Sequence, residues 1–318
     1  MKKLITTLCA VLFTTSVLAQ SLPIRVVGSS TVYPFTTVVA ERFGKSTEFN
    51  TPIVESTGTG GGMKLFCAGI QSNTPSATNA SRAIKQKEAD LCAKNGVKYI
   101  EIAIGNDGIA FVNSRQGVQT NFTKEQLWEA MSAHGSKPTK WSDIDPSLPN
   151  QEIKIMVPPA TSGTRDAWND LVMNKGCASE VKAKDKKACT QLREDGAIIE
   201  AGENDTLIIQ KLVNDKNYYG IMGFSYLINS KDKIQAANIE GQTISLASIQ
   251  DYSYPIARPL YVYFKVQHME VIPGLNKFMK EYVSNKAMGS KGYLTSIGLV
   301  PLDAETFTAM KTRVKSIK

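Results

Sequence analysis

The sequence predicts an α/β protein of two domains, with mixed, largely parallel sheets and helices packed on their faces. Three observations carry that prediction. A short apolar strand, a loop rich in hydroxyls or glycine, and an amphipathic helix follow one another at residues 24–45, 52–66 and 153–173. That alternation is what parallel α/β layers require. The chain has 318 residues, and removing a leader of 19 leaves 299, enough for two domains of ordinary size. Past the leader, no segment is apolar enough to cross a bilayer, and neither a fixed-period repeat nor a low-complexity linker interrupts the pattern.

The leader comes first. Lys2 and Lys3 precede a short apolar stretch, and Val17-Leu18-Ala19 offers small-residue cleavage before Gln20, so residues 1–19 read as a secretory signal peptide. Cys9 lies well before that cut, which argues against a lipid-anchored cysteine. A strand at 24–27 then leads through Gly28-Ser29-Ser30-Thr31 into a helix with Pro34 in its first turn and Phe35, Val38, Val39 and Phe43 at helical spacing. Pro52 to Val54 is a second strand, followed by a glycine loop and a helix through Leu65 and Phe66. "VKYIEIAIGNDGIAFVN" reads as a strand pair, or as one long strand broken at Gly105 to Gly108. "TKEQLWEAM" is a helix capped by Thr123, and "SDIDPSLP" is a loop. A strand at Ile153 to Val157 runs through Thr161-Ser162-Gly163-Thr164 into a helix that turns Ala167, Leu171 and Val172 inward. "NYYGIMGFSYLIN" is a strand and helix start, "RPLYVYFK" a strong strand, and the tail from Gly274 holds two helices around "GYLTSIGLVP".

Charge and cysteines narrow the function. Once Lys2 and Lys3 leave with the leader, 35 basic side chains face 29 acidic ones, a net +6 that favours an anionic ligand. Nucleic acid is a poor fit, because the chain is exported and the charged run from Lys182 to Lys187 has no interleaved aromatics. Cys67, Cys92, Cys177 and Cys189 allow three pairings. The short loops favour Cys67–Cys92 and Cys177–Cys189 in an oxidising compartment, each worth roughly 3 kcal/mol. A zinc site competes weakly, since there is no C-x-x-C pair and the only histidines are His134 and His268. No cofactor is indicated.

The stretch "VESTGTGGGMKLFCAG" invites a phosphate-loop reading, yet both nucleotide signatures fail. Val39 stands where the P-loop's first glycine would precede Gly44-Lys45-Ser46, and Met63 and Leu65 break the dinucleotide fingerprint. What remains is bare backbone N–H and the hydroxyls of Thr57 and Thr59 at a helix N-terminus, which suits a small anion. A single such loop is an ordinary helix cap. Three of them, each at the carboxyl end of a strand, lie where open α/β sheets bind ligands.

Taken in order, "GSSTVYPF", "ESTGTGGGMKLFCAG", "NASRAIK", "GNDGIAF" and "SGTRDAW" resemble the phosphate-binding proteins of the Pst-type ABC transporter, from about residue 24 to the C-terminus. The resemblance implies a type II periplasmic binding-protein fold, with two domains joined by two crossover strands and an oxyanion in the cleft between them. It implies a monomer in the periplasm that hands inorganic phosphate to an inner-membrane ABC permease, and no catalysis. Domain one would hold residues 24–108 plus 261–318, and domain two 109–260. Carried over residue by residue, the first loop offers Ser30, Thr31 and the N–H of Val32. The second offers Thr59 with the N–H of Gly60 or Gly61, and the third offers Ser162, Gly163 and Thr164. Neutral hydroxyls and amides can satisfy a dehydrated phosphate, each charge-assisted bond contributing about 1.5–3 kcal/mol.

Two departures mark this chain. Many relatives place an aspartate where Arg82 stands, and many have an arginine and an aspartate where Pro158 and Ala160 stand. Arg82 and Arg165 therefore become the candidate cations. Asp107 is the candidate acceptor for the proton that distinguishes monohydrogen phosphate from sulfate, with Asp166 and Glu55 behind it. The rivals are a binder of another oxyanion such as sulfate, and a secreted phosphate-ester hydrolase. For the latter G-x-S-x-G is absent and neither histidine has a catalytic context.

Overall fold

The computed structural model describes residues 22–160, 162–201 and 205–317; the leader and Thr161 lie outside the described residues. The strands are β1 (Arg25–Gly28), β2 (Ile53–Ser56), β3 (Ala77–Ala80), β4 (Tyr99–Ser114), β5 (Asn121–Phe122), β6 (Ile155–Val157), β7 (Ile198–Glu200), β8 (Tyr219–Gly223), β9 (Ile234–Ala236), β10 (Asn238–Ile239) and β11 (Ala257–Lys265). One continuous path of hydrogen-bonded strands runs β2-β1-β3-β11-β4-β8-β6-β7, with β9 also on β4. Pairing is parallel where helices cross over, among β1, β2 and β3 and among β6, β7 and β8. It is antiparallel wherever β4 and β11 take part.

β4 is the spine. Its 16 residues form one unbroken strand rather than a pair, so the expected break at Gly105 to Gly108 does not end it. The irregularity is a bulge within it: consecutive Leu260 and Tyr261 of the partner strand face Gly105 and Ala103, so Ile104 is the extra residue of β4. Residues 99–108 of β4 pair with β11, and residues 109–114 pair with β8 and β9. Two cores form on either side of that change of partner. Ile24, Val26, Ile100, Ile102, Ile104, Leu260, Val262 and Phe264 belong to one, and Phe111, Trp141, Ile155, Trp168 and Tyr219 to the other. In the second, Phe111 stacks on Tyr219 at 4.8 Å between centroids and meets Trp168 at 5.5 Å.

Local signals explain most boundaries. Helix α1 (Tyr33–Ser46) carries Pro34 in its first turn and buries Thr36, Val39, Ala40 and Phe43. α2 (Thr59–Phe66) and α3 (Gln86–Lys94) are tied by Cys67–Cys92. α4 (Lys124–Met131) begins at Thr123, whose hydroxyl accepts from the Gln126 N–H. α5 (Gly163–Trp168) begins at Ser162, and Cys177–Cys189 closes the charged segment beyond it. β3, "ATNA", escaped the sequence pattern because small and polar residues give no apolar alternation; it is nonetheless buried between β1 and β11.

α2 lies so close to β1 that only glycine fits at one crossing. A Cβ on Gly62 would stand 2.5 Å from Gly28 Cα and 2.6 Å from Thr78 Oγ1, whereas one on Gly60 would meet nothing within 4 Å. Gly62→Ala should therefore lower stability by about 1–3 kcal/mol. Gly60→Ala should raise it by roughly 0.5 kcal/mol, by restricting the unfolded chain and favouring helix. Urea unfolding of the ligand-free protein measures both, and the reverse order would refute this packing.

Candidate functional site

Three loops leave the carboxyl ends of β1, β2 and β6 and open helices α1, α2 and α5. The first and third meet across the two cores. Thr31 Oγ1 donates to the Gly163 carbonyl at 3.1 Å. A Cβ on Gly163 would lie 2.6 Å from the Thr31 backbone nitrogen, so glycine is what permits this approach. A cavity of about 750 Å³ lies on one side of the contact, lined by Ser30, Thr31, Asp107, Ser162, Gly163 and Thr164 among others. A second, of about 420 Å³, holds Thr59, Gly60, Arg82, Asp166 and Arg258. Gly58 borders both.

The charges at the centre come from the two crossover strands. Asp107 and Arg258 are cross-strand partners in the β4–β11 register, which puts their side chains on the same face. Arg258 is 5% exposed. Its Nε stands 3.5 Å from Asp107 Oδ2, its Nη2 donates to Thr31 Oγ1 at 2.7 Å, and Asp166 Oδ2 lies 3.7 Å away. Both Arg258 Nε and Asp107 Oδ2 are buried with no hydrogen-bond partner. These same two atoms face each other at 3.5 Å, an ion pair too long for a full hydrogen bond, so each would gain from a closer donor or acceptor. Burial lifts the Asp107 carboxyl above its ordinary value of 3.8, and the Arg258 charge offsets this only in part.

The other expected site residues are distributed unevenly. Thr59 Oγ1 is 3.0 Å from Ser81 Oγ and accepts from the Ser81 N–H at 3.2 Å, at the wall of the smaller cavity. Val32 is fully buried, and its N–H points to Ser29 Oγ at 3.4 Å. Ser162 Oγ accepts from the Thr164 N–H at 3.2 Å, so it caps α5 as well as lining the cleft. Arg82 is clamped to Glu88 by two bonds of 2.9 and 2.8 Å. Arg165 turns inward to donate to the Pro158 carbonyl at 3.0 Å. Arg82 nonetheless lines the smaller cavity with Arg258, whereas Arg165, whose Nε is buried without a hydrogen-bond partner, lines neither cavity. Glu55 pairs with Arg25 at 3.0 Å, and Asp166 is 55% exposed at the cleft edge. His134 bonds Gln191, and His268 is buried between Ser76 and the Ile70 carbonyl. Neither lines either cavity.

Arg258 went unrecognised in the sequence although a signal was present. In "ARPLYVYFK" it shares parity with Leu260, Val262 and Phe264, all buried. An arginine on the buried register of a central strand needs an anionic partner, and that reading needs no structure.

A family model described as a PBP superfamily domain matches residues 14–286. The chain is 30% identical over 308 residues to Protein SphX of Synechococcus elongatus, covering 94% of this chain and 83% of that protein. To the phosphate-binding protein PstS of Staphylococcus saprophyticus it is 30% identical over 296 residues, covering 91% and 83%. A crystal structure of a possible phosphate binding protein from Planctomyces limnophilus superposes with a TM-score of 0.78 at 26% identity, covering 93% of this chain and 99% of that one. A putative phosphate ABC transporter substrate-binding protein from Clostridium perfringens, solved with bound phosphate, gives 0.58 at 21% identity over 88% and 100%, a likeness of fold.

The raised Asp107 carboxyl has a pH signature. The folded protein holds this proton to higher pH than the unfolded chain, whose carboxyl titrates near 3.8. The stability it contributes is therefore fully present below that value and is lost as pH rises through the folded one. In ligand-free protein, the stability of the parent minus that of Asp107→Asn should fall as pH rises from about 4 to about 7. Urea unfolding across that range measures it; a flat or rising difference would overturn the assignment.

Proposed function

We propose, for a chain that belongs to the PBP superfamily and within it to the PstS-type phosphate-binding proteins, that the cleft captures inorganic phosphate and delivers it to an inner-membrane ABC permease. The observation that carries this reading is the buried Arg258 facing Asp107, each with an unmatched polar atom, beneath two hydroxyl loops. Arg258 supplies the cation. Ser30, Ser162 and Thr164 supply hydroxyls, Thr31 would add its own only by releasing the Gly163 carbonyl, and the loops that carry them and Gly60 supply N–H donors. Such donors satisfy oxyanion lone pairs without a full opposing charge.

Asp107 sets selectivity. A carboxylate whose ionised form is disfavoured by burial gains from any donor brought to it. The P–OH of monohydrogen phosphate is such a donor. Sulfate at neutral pH has none, so its oxygen and that of Asp107 would meet as like charges. The lobes that close on the anion are residues 24–108 plus 261–318 and residues 109–260, hinged where β4 changes partner. The two disulfides and the leader sequence favour an oxidising, periplasmic setting, and one chain supplies every group named, so a monomer suffices.

Calorimetric titration of refolded, anion-stripped protein tests this. One molar equivalent of phosphate should bind in preference to sulfate. In Asp107→Asn the ratio of the two affinities should drop by about tenfold, or about 1.4 kcal/mol. Equal affinity for sulfate in the parent protein, or an unchanged ratio in the variant, would remove Asp107 from the role.

A further inference from the structure

The two mouths of the cleft differ in charge. Among the described residues lining the larger cavity, Asp107 is the only charged one, and the rim there is Tyr33, Phe35, Tyr226 and Ile297. The smaller cavity, which holds Arg258, shares Gly60 and Arg82 with a surface hollow that adds Lys64, Lys85 and Lys87. These three lysines are exposed. They come from α2, α3 and the turn between β3 and α3, so the fold and not a run of sequence gathers them. Along this second route five cations, Lys64, Arg82, Lys85, Lys87 and Arg258, face three carboxylates, Glu88, Asp166 and Asp170. The other mouth is negative by Asp107 alone.

We propose that the anion enters the cleft along the basic route, drawn by Lys64, Lys85 and Lys87, and that the larger, aromatic mouth takes no part in capture. This rests on the reading of the cleft as a phosphate site. The physical reason is long-range attraction. A divalent anion in water feels exposed cations over a Debye length, about 30 Å at 0.01 M salt and about 3 Å at 1 M. A cleft walled by low-dielectric protein concentrates that field. The three lysines do not hold the bound ion; they raise the rate at which it arrives. Glu88 keeps Arg82 bent toward α3, so Arg82 marks the turn of the route toward Arg258 without occupying it.

Stopped-flow binding of inorganic phosphate, followed by intrinsic fluorescence, separates the alternatives. The triple variant Lys64→Gln/Lys85→Gln/Lys87→Gln should associate about fivefold more slowly than the parent at about 0.01 M salt, and within about twofold of it at about 0.5 M. Its dissociation rate should not change. A control of equal charge loss, Lys216→Gln/Lys231→Gln/Lys233→Gln, removes exposed lysines that line neither cavity nor the basic hollow and should associate like the parent. Unchanged association in the first variant, equal slowing in the control, or an effect confined to dissociation would each overturn the proposal while leaving the phosphate reading intact. Failure of the parent to bind phosphate at all would instead remove the reading on which it rests.

Discussion

A guanidinium buried at the crossing of two strands constrains the rest of the molecule. Arg258 is nearly dry, and a dry cation needs anionic company within a few ångströms. Asp107 answers it from the neighbouring strand, but at 3.5 Å and with atoms of both groups unmatched. The pair sits just where β4 leaves one core and enters the other. A strand long enough to serve both cores, a partner strand that returns beside it, and loops converging from both sides follow from the need to place that pair in a cleft rather than in a core.

Around the pair the donors are neutral. Thr31 takes a bond from Arg258 and gives one to the Gly163 carbonyl, so a single hydroxyl links the cation, the first loop and the third. The close contact at Gly163 makes the two lobes register through backbone, a geometry that a side chain of any size would spoil. Arg82 and Arg165, by contrast, are held in place by Glu88 and by the Pro158 carbonyl. Arg258 lines the smaller cavity and is bonded to Thr31 of the first loop.

Much of this was legible in the sequence. Alternation of strand, loop and helix gave the fold class, Pro34 and Thr123 marked helix starts, and hydroxyls placed after strands marked the two loops that meet beside the larger cavity. Asp107 was legible too, as the one acidic group in a glycine-flanked break. The losses have physical causes. β3 is built from Ala77, Thr78, Asn79 and Ala80, whose burial is imposed by neighbours on both sides and not by apolarity. The glycines of β4 suggested a break because glycine weakens isolated strands, yet pairing with β11 carries the strand through them. Arg82 and Arg165 drew notice because they adjoin motifs, and motifs are local. Arg258 stands about 150 residues from Asp107 in sequence and meets it only through the register of two strands.

The most direct test compares phosphate affinity in Arg258→Gln and Arg82→Gln by calorimetry, with circular dichroism to show that both variants are folded. If the buried pair is the anion's anchor, the first variant should lose about a hundredfold or more in affinity, since truncating one partner of a buried charge pair costs about 2–5 kcal/mol, and the second should stay within about threefold of the parent. Affinity that survives the loss of Arg258 but collapses with the loss of Arg82 would contradict the account.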